Sequence, residues 1–331
     1  MEPVRTGVWG VGVWGEKHAR VYAALDEATL TGVYDRDAHR AAEVAAQHGC
    51  RVFPSAEALL ENCEAVSVAV PTLAHREAVE KAAAAGRHIL VEKPMAPTVA
   101  DADAMLEAAR RAGVQLQVGQ VERFNPALIA ARPFIRAPKF IECHRLALFQ
   151  PRSLDIDVVF DLMIHDIDAV LDAVGGQPVS VSAVGVAVLS DNEDIANARL
   201  EFADGCVANL TASRVSQERL RRIRFFLSDA YVSVDLFEKT GELLLADVQR
   251  LKAAKAHPLA ALGAISRRSL TAEPGEPLTL ELRAFVRSLR GEGAGAASGA
   301  AGRSALAVAE EVRSAMKRRA LQWVSLSNAA S

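Results

Sequence analysis

Hydrophobic positions follow two rhythms along the chain. Up to residue 119, short and almost fully apolar runs alternate with longer stretches in which apolar residues return every three or four positions. The first kind fits buried strands of a parallel sheet and the second fits amphipathic helices. The pattern predicts strands over 5–9, 29–34, 51–53, 65–70, 88–91 and 115–119. Between them it predicts helices over 16–25, 40–48, 56–62, 74–85 and 99–112, the alternation of a doubly wound sheet. From residue 139 the rhythm becomes apolar/polar alternation, predicting strands over 140–148, 179–189, 197–202, 206–212, 221–227 and 231–236. Turns as short as Ala203-Asp204-Gly205 and Ser228-Asp229 imply antiparallel pairing there. Helices are expected over 252–268, 277–290 and 301–319, a glycine-rich loop over 291–299, and a closing strand over 321–326.

One segment fits neither rhythm. Residues 158–174 form a long apolar run without Gly or Pro, hence a helix, yet Asp161, His165, Asp168 and Asp172 recur on one stripe of it. A water-facing stripe is one reading. Mid-helix Asp is a poor helix former, however, and an imidazole beside carboxylates on a buried helix is a candidate proton-transfer site.

Composition narrows the class. With 331 residues the chain has room for two domains, and no apolar run reaches the roughly 18 residues of a membrane span. The 38 basic and 41 acidic residues leave a net charge of −3, with no basic block interleaved with aromatics, which argues against nucleic acid as a partner. A basic alternation at Arg219, Arg221, Arg222 and Arg224 reads as a solvated or interface strand face, with substrate diphosphate the minority alternative. Cys50, Cys63, Cys143 and Cys206 lie far apart, so neither a metal site nor a disulfide scaffold is expected. Reduced thiols and an N-terminus without a signal-peptide core point to the cytoplasm.

The first predicted strand runs into Gly10-Val11-Gly12-Val13-Trp14-Gly15 and then a helix, which is G-x-G-x-x-G in its meaningful context. Gly10 permits the tight turn, Gly12 admits a pyrophosphate, and Gly15 lets helix and strand pack closely; Val13 and Trp14 of the same loop are candidate cofactor contacts, and the helix N-terminus that follows offers N–H groups to phosphate. Asp35 closes the second strand, 20 residues beyond Gly15, where a carboxylate accepts both ribose hydroxyls of an adenosine. It would repel a 2′-phosphate, so NAD is expected over NADP, with Arg36 the counter-indication. Asp37 is left to cap the next helix. Two further strand ends, Val70-Pro71-Thr72 and Glu92-Lys93-Pro94, lie where open α/β sheets bind ligands.

These residues, with Pro71-Thr72-x-x-His75 and Asp161-x-x-x-His165, closely resemble the Gfo/Idh/MocA oxidoreductases. The resemblance implies an α/β protein: an N-terminal Rossmann domain with a doubly wound parallel sheet (residues 1–121), then a substrate-binding α/β domain with a large, mainly antiparallel open sheet (residues 122–331). It also implies homo-oligomers, dimers or tetramers, through that sheet, and a site between the domains where Lys93, Asp161 and His165 meet the nicotinamide. Pro71, Thr72, His75 and Glu92 would belong to the cofactor side. Val70 and Trp14 depart from the family's usual residues. The final helix is expected to pack on the first domain.

A narrower resemblance, in 118–126, Phe149-Gln150-Pro151-Arg152 and 157–168, is to the branch that oxidises nucleotide-linked amino sugars at the 3-hydroxyl of UDP-N-acetylglucosamine. Glu122, Arg123, Asn125, Arg152 and Asp157 are its candidate substrate-binding residues, and pairing of Glu122 with Arg123 across a hinge is the structural alternative. Competing readings are a dehydrogenase of a free sugar, inositol or a UDP-linked uronic acid, and a non-catalytic NAD-sensing regulator.

Overall fold

Each apolar run of the first third becomes a strand, and each amphipathic stretch the helix that covers it. The computed structural model describes residues 2–150, 156–247, 264–271, 273–293 and 295–330. In chain order the elements are β1 (Val4–Trp9), α1 (Val13–Ala24), β2 (Ala28–Tyr34), α2 (Ala38–His48), β3 (Arg51–Val52) and α3 (Ala56–Asn62). They continue as β4 (Ala65–Val68), α4 (His75–Ala84), β5 (His88–Glu92), α5 (Val99–Ala112) and β6 (Leu116–Gly119). Three of the helices begin where a side chain answers free N–H groups: Asp37 caps α2, Ser55 caps α3 and Thr98 caps α5. The six strands pair in parallel in the order β6-β5-β4-β1-β2-β3, the order of a dinucleotide-binding sheet.

The chain divides into two compact units: Met1–Phe124 with Gly275–Leu306, and Asn125–Pro274 with Ala307–Ser331. The second unit opens with α6 (Pro126–Ala131), which the hydrophobic pattern did not announce, and β7 (Phe140–Leu146). A π-helical turn, Val159–Met163, leads into α7 (Ile164–Val174). Then come β8 (Pro178–Val186), β9 (Ile195–Phe202), β10 (Val207–Ser213), β11 (Leu220–Phe226), β12 (Ala230–Asp235), β13 (Thr240–Ala246) and β14 (Ile265–Leu270). Their sheet has the order β14-β13-β12-β11-β7-β10-β9-β8.

The sheet is mainly antiparallel, with one correction to the expectation from short turns. β7 sits in its middle, far in sequence from its neighbours, and pairs antiparallel with β11 but parallel with β10. A second correction concerns the helix expected over 252–268. Residues 252–263 lie outside the described residues, while Ile265–Leu270 is an edge strand on β13. Its Arg267 and Arg268 blunt an otherwise open edge, and an alanine-rich approach obscured the alternation.

The chain then returns to the first unit with α8 (Pro277–Ser288), β15 (Ala297–Ser298) and the start of α9 (Gly299–Ala330). Leu278, Leu282, Phe285 and Val286, one stripe of α8, lie in the same core as Val8, Tyr22 and Val33. β15 adds antiparallel to β6 and completes a seven-stranded sheet. The closing strand expected over 321–326 does not form: no turn residue separates it from the helix, and α9 runs through it.

Candidate active site

In the first unit the glycine loop has the form of a phosphate cradle. Gly10 takes φ +88°, and a Cβ there would stand 2.7 Å from the Val70 nitrogen. A Cβ on Gly15 would lie 1.8 Å from the Gly10 carbonyl oxygen, so helix and loop touch backbone to backbone. Gly12 instead faces open space, with no atom within 4 Å of where a Cβ would be. It is also the N-cap of α1 and supplies no side-chain cap, so the first N–H groups, behind exposed Val13 and Trp14, remain for an external anion. Lys17 lies over the Trp14 ring at 4.3 Å. The residues present therefore fit a dinucleotide pyrophosphate.

Asp35 is held beside this loop. Its Oδ2 accepts the Val11 N–H at 2.6 Å and its Oδ1 the Asp37 N–H at 2.9 Å, which fixes the carboxylate and leaves lone pairs for ribose hydroxyls. Capping of α2 falls to Asp37, whose Oδ1 accepts from His39 and Arg40. Arg40 braces the loop from below by donating to the Val11 carbonyl at 3.0 Å and pairing with Glu16. Arg36 is exposed.

The two strand ends are tied together by His75. Its Nε2 contacts the Val70 carbonyl at 2.9 Å, and its Nδ1 those of Pro94 and Met95 at 3.1 and 3.2 Å. Burial pulls its pKa below the ordinary imidazole value. His75 thus positions the loop of exposed Pro71 and half-buried Thr72 against the loop that begins at half-buried Lys93. Lys93–Pro94 is a cis peptide. Glu92 accepts the Lys93 N–H at 3.2 Å through Oε2, while its Oε1 meets His18 Nε2 at 2.8 Å. Behind His18, Nδ1 contacts Ser67 Oγ at 3.0 Å, and Ser67 contacts the Tyr22 hydroxyl at 2.9 Å. Glu122 and Arg123 lie half-buried in a 3-10 turn, Val121–Phe124, just after β6.

In the second unit, the acidic helix begins at Asp157. This buried carboxylate accepts the Val159 and Phe160 N–H groups at 3.0 and 3.1 Å, and burial raises its pKa. It caps the segment that carries the chemistry. Asn125 is likewise committed: its amide donates to the Leu236 carbonyl at 2.9 Å and its oxygen caps α6. Arg152 lies outside the described residues. Asp161 stands half-buried on the π-helical turn, in a cleft of about 160 Å³ that also involves Gln150, Arg214, Arg219 and Arg221. His165 follows, half-buried, on the first turn of α7; Asp168 is buried, and exposed Asp172 pairs with Arg132 at 3.2 Å.

Sequence reasoning missed the groups that hold these side chains. Asp166, off the stripe, is buried and gripped twice by Arg145, at 2.9 and 2.8 Å. An Asp on the apolar side of a helix is the signal that would have found it. His18, three residues past Gly15 on the face of α1 that turns inward, carried a similar one. Among the described residues no group of His, Cys, Asp and Glu is arranged to hold a metal ion, and none of their helices is long and apolar enough to cross a membrane.

A Rossmann unit with an open glycine cradle, followed by a unit built on a large mainly antiparallel sheet, defines a nicotinamide-dependent oxidoreductase of two-domain type. Comparison agrees: the oxidoreductase family with NAD-binding Rossmann fold matches residues 4–120, and the GFO/IDH/MocA C-terminal domain matches residues 148–233. The chain belongs to the Gfo/Idh/MocA family of NAD-binding oxidoreductases. It is 41% identical over 315 residues, 95% of this chain and 97% of the relative, to a UDP-N-acetylglucosamine 3-dehydrogenase of Acidithiobacillus ferrooxidans. A solved structure of that enzyme superposes with a TM-score of 0.87 at 40% identity, covering 96% of this chain and 99% of the other. An inositol 2-dehydrogenase of Rhizobium meliloti is 30% identical over 229 residues, 64% of this chain and 69% of the relative. The fold alone is shared with a levoglucosan dehydrogenase solved with NADH and levoglucosan, at 18% identity, TM-score 0.83 and coverage of 96% and 98%.

Proposed function

We propose that the protein is an NAD-dependent dehydrogenase that oxidises the 3-hydroxyl of UDP-N-acetylglucosamine to the 3-keto sugar. The observation that carries this reading is identity with the Acidithiobacillus ferrooxidans enzyme across almost the whole of both chains. Bound at the glycine cradle, NAD supplies the hydride acceptor. The protein must then take the hydroxyl proton and stabilise the charge that develops on oxygen. His165 accepts that proton, the role for which an imidazole is suited. Lys93 donates a hydrogen bond to the same oxygen, and Asp161, one turn before His165, orients the imidazole or a neighbouring hydroxyl. Glu122 and Arg123 contact the sugar nucleotide, while Asp157 and Asn125 act by shaping the segments around it.

The protein works in the cytoplasm, in keeping with four free cysteines whose thiols burial pushes upward, Cys63 and Cys206 to about 11. It assembles into a dimer or tetramer through the half-exposed face of the second sheet. There the Phe140, Phe226 and Tyr231 rings stand at centroid distances of 5.4 and 5.0 Å. Light scattering on a sizing column tests the assembly.

The activity test supplies NAD+ with a panel of UDP-sugars, free sugars and inositol and follows NADH absorbance. Reduction with UDP-N-acetylglucosamine, lost by orders of magnitude in Lys93→Met and His165→Ala while NADH still binds, is expected. Reduction with only a free sugar or inositol would reassign the substrate. Near-normal turnover in either variant would overturn the residue roles, and no reduction with any sugar would favour an NAD-sensing regulator.

A further inference from the structure

The basic run of β11 reads as one charged strip, but strand alternation divides it. Arg222 and Arg224 turn to the half-exposed sheet face, where Asp235 and Glu142 answer them at 2.9 and 2.7 Å. Arg221 shares the other face with buried Ile223 and Phe225. Its partner across the ladder is Arg145, the residue that grips Asp166 of α7. Arg221 is therefore on the face that packs under the acidic helix, and with Arg219 it lines the cleft beside Asp161. Arg214 lines the same cleft, but its charge is answered by buried Asp194 at 2.7 Å. Arg219 and Arg221, both exposed residues, therefore stand in one cleft with half-buried Asp161.

We propose that Arg219 and Arg221 form an anion subsite that holds the diphosphate of a nucleotide-linked sugar. The proposal rests on the dehydrogenase reading for the identity of the substrate, and it extends that reading to residues the family resemblance did not single out. Three observations carry it. Guanidinium forks match phosphate oxygens in pairs, which ammonium groups do not. The cleft, at about 160 Å³, is smaller than the roughly 300–1,000 Å³ of sites that enclose a whole drug-sized ligand, so it takes a polar segment of the substrate. Finally, a single hexose ring separates the anomeric phosphate from the 3-hydroxyl. An anion subsite in the same cleft as Asp161 therefore sets the sugar's reacting edge toward the acidic helix.

UDP is the probe, titrated calorimetrically into the full-length protein. Wild type binds UDP, and Arg219→Gln and Arg221→Gln each weaken it by about 10- to 100-fold, the loss expected of one charge-assisted contact. Arg222→Gln, one residue away on the opposite face, leaves UDP affinity unchanged. With UDP-N-acetylglucosamine as substrate the two cleft variants raise KM far more than they lower kcat, and NADH affinity stays as in wild type. Failure of wild type to bind UDP, or equal UDP affinity in the cleft variants, overturns the subsite. So does a loss confined to a UDP-linked uronic acid with UDP itself unaffected, since the cations would then be reading a sugar carboxylate. Arginine-dependent UDP binding without turnover of any UDP-sugar would keep the subsite and sink the dehydrogenase reading. Turnover of UDP-N-acetylglucosamine indifferent to both arginines would do the reverse.

Discussion

Nε2 of His18 stands 2.8 Å from Oε1 of Glu92, with the two side chains only 1% and 13% exposed. A neutral imidazole protonated on Nε2 satisfies every contact in line: Tyr22 donates to Ser67, Ser67 to His18 Nδ1, and His18 to Glu92. Glu92 in turn accepts the Lys93 N–H, so the chain of bonds ends at the backbone of the residue assigned to the chemistry. This is how the helix after the glycine loop and the end of β5 are locked to one geometry.

Removing the imidazole tests that lock. His18→Leu leaves the half-buried Glu92 carboxylate with one partner fewer and Ser67 with only its contact to the Tyr22 hydroxyl. Stability should fall by about 2–4 kcal/mol, read from the urea midpoint. Glu92→Gln keeps the shape and an acceptor and should lose less than half as much. A His18→Leu midpoint equal to wild type would show that the network holds nothing.

Two glycines of the loop should fail in opposite ways. Gly15→Ala places a methyl 1.8 Å from the Gly10 carbonyl oxygen, a backbone contact that no rotamer relieves, so the first unit loses about 3 kcal/mol. Gly12→Ala meets no atom, and its folding stability should stay within about 1 kcal/mol of wild type. Its methyl does, however, take the space a pyrophosphate needs, so NADH affinity should fall more than about tenfold. Fluorescence titration of NADH and urea unfolding separate the two effects. Unimpaired NADH binding by Gly12→Ala would contradict the cradle.

Cofactor choice should turn on Asp35. Its carboxylate is pinned by the Val11 and Asp37 N–H groups, and exposed Arg36 stands next to it in sequence. Asp35→Ser replaces the carboxylate that can accept both ribose hydroxyls with a shorter, neutral hydroxyl and removes the charge that repels a 2′-phosphate. NADH affinity should drop by about 10- to 100-fold while NADPH affinity rises, measured by the same titration. An unchanged preference for NADH in this variant would show that selectivity lies elsewhere.

The first domain was legible because its signals are local. A parallel sheet buried on both faces writes each strand as an apolar run, and the glycine loop must sit between a strand and a helix to work at all. Two helices, Ala56–Asn62 and Val99–Ala112, fall where the hydrophobic pattern put them, since Ser55 and Thr98 mark their starts. What was not legible depends on partners distant in sequence. The parallel pairing of β7 with β10 brings together residues 140–146 and 207–213, which no turn connects. The β11 arginines looked like one strip because the sequence does not show which face Arg221 shares with Arg145. The resemblance makes Asn125 and Asp157 candidate substrate contacts; what only the fold reveals is that they also accept the N–H groups at the start of α6 and of the π-helical turn.

The pH dependence of stability should centre on Asp194. Burial opposes its ionisation, but the Leu189 N–H, Arg214 Nε, the Val188 N–H and the Ser190 hydroxyl and N–H all donate to it, and together they hold its carboxyl well below the usual carboxylate range. A folded-state pKa below the unfolded value of about 3.9 means that the unfolded chain binds the proton first. The pair's contribution is thus fully present above that value and is lost as the pH falls through it toward the folded-state pKa. Asp194→Asn, which leaves Arg214 buried without its counter-charge, should lose about 3–5 kcal/mol at neutral pH. Its deficit against wild type should then narrow as pH drops from about 5 to about 2.5, in urea midpoints taken across that range. Because Arg214 also donates to the Ile156 carbonyl at 2.8 Å, just ahead of the turn bearing Asp161, the variant should weaken UDP binding even under conditions where it stays folded. A deficit that stayed constant with pH would mean that the Asp194 carboxylate is not the titrating group.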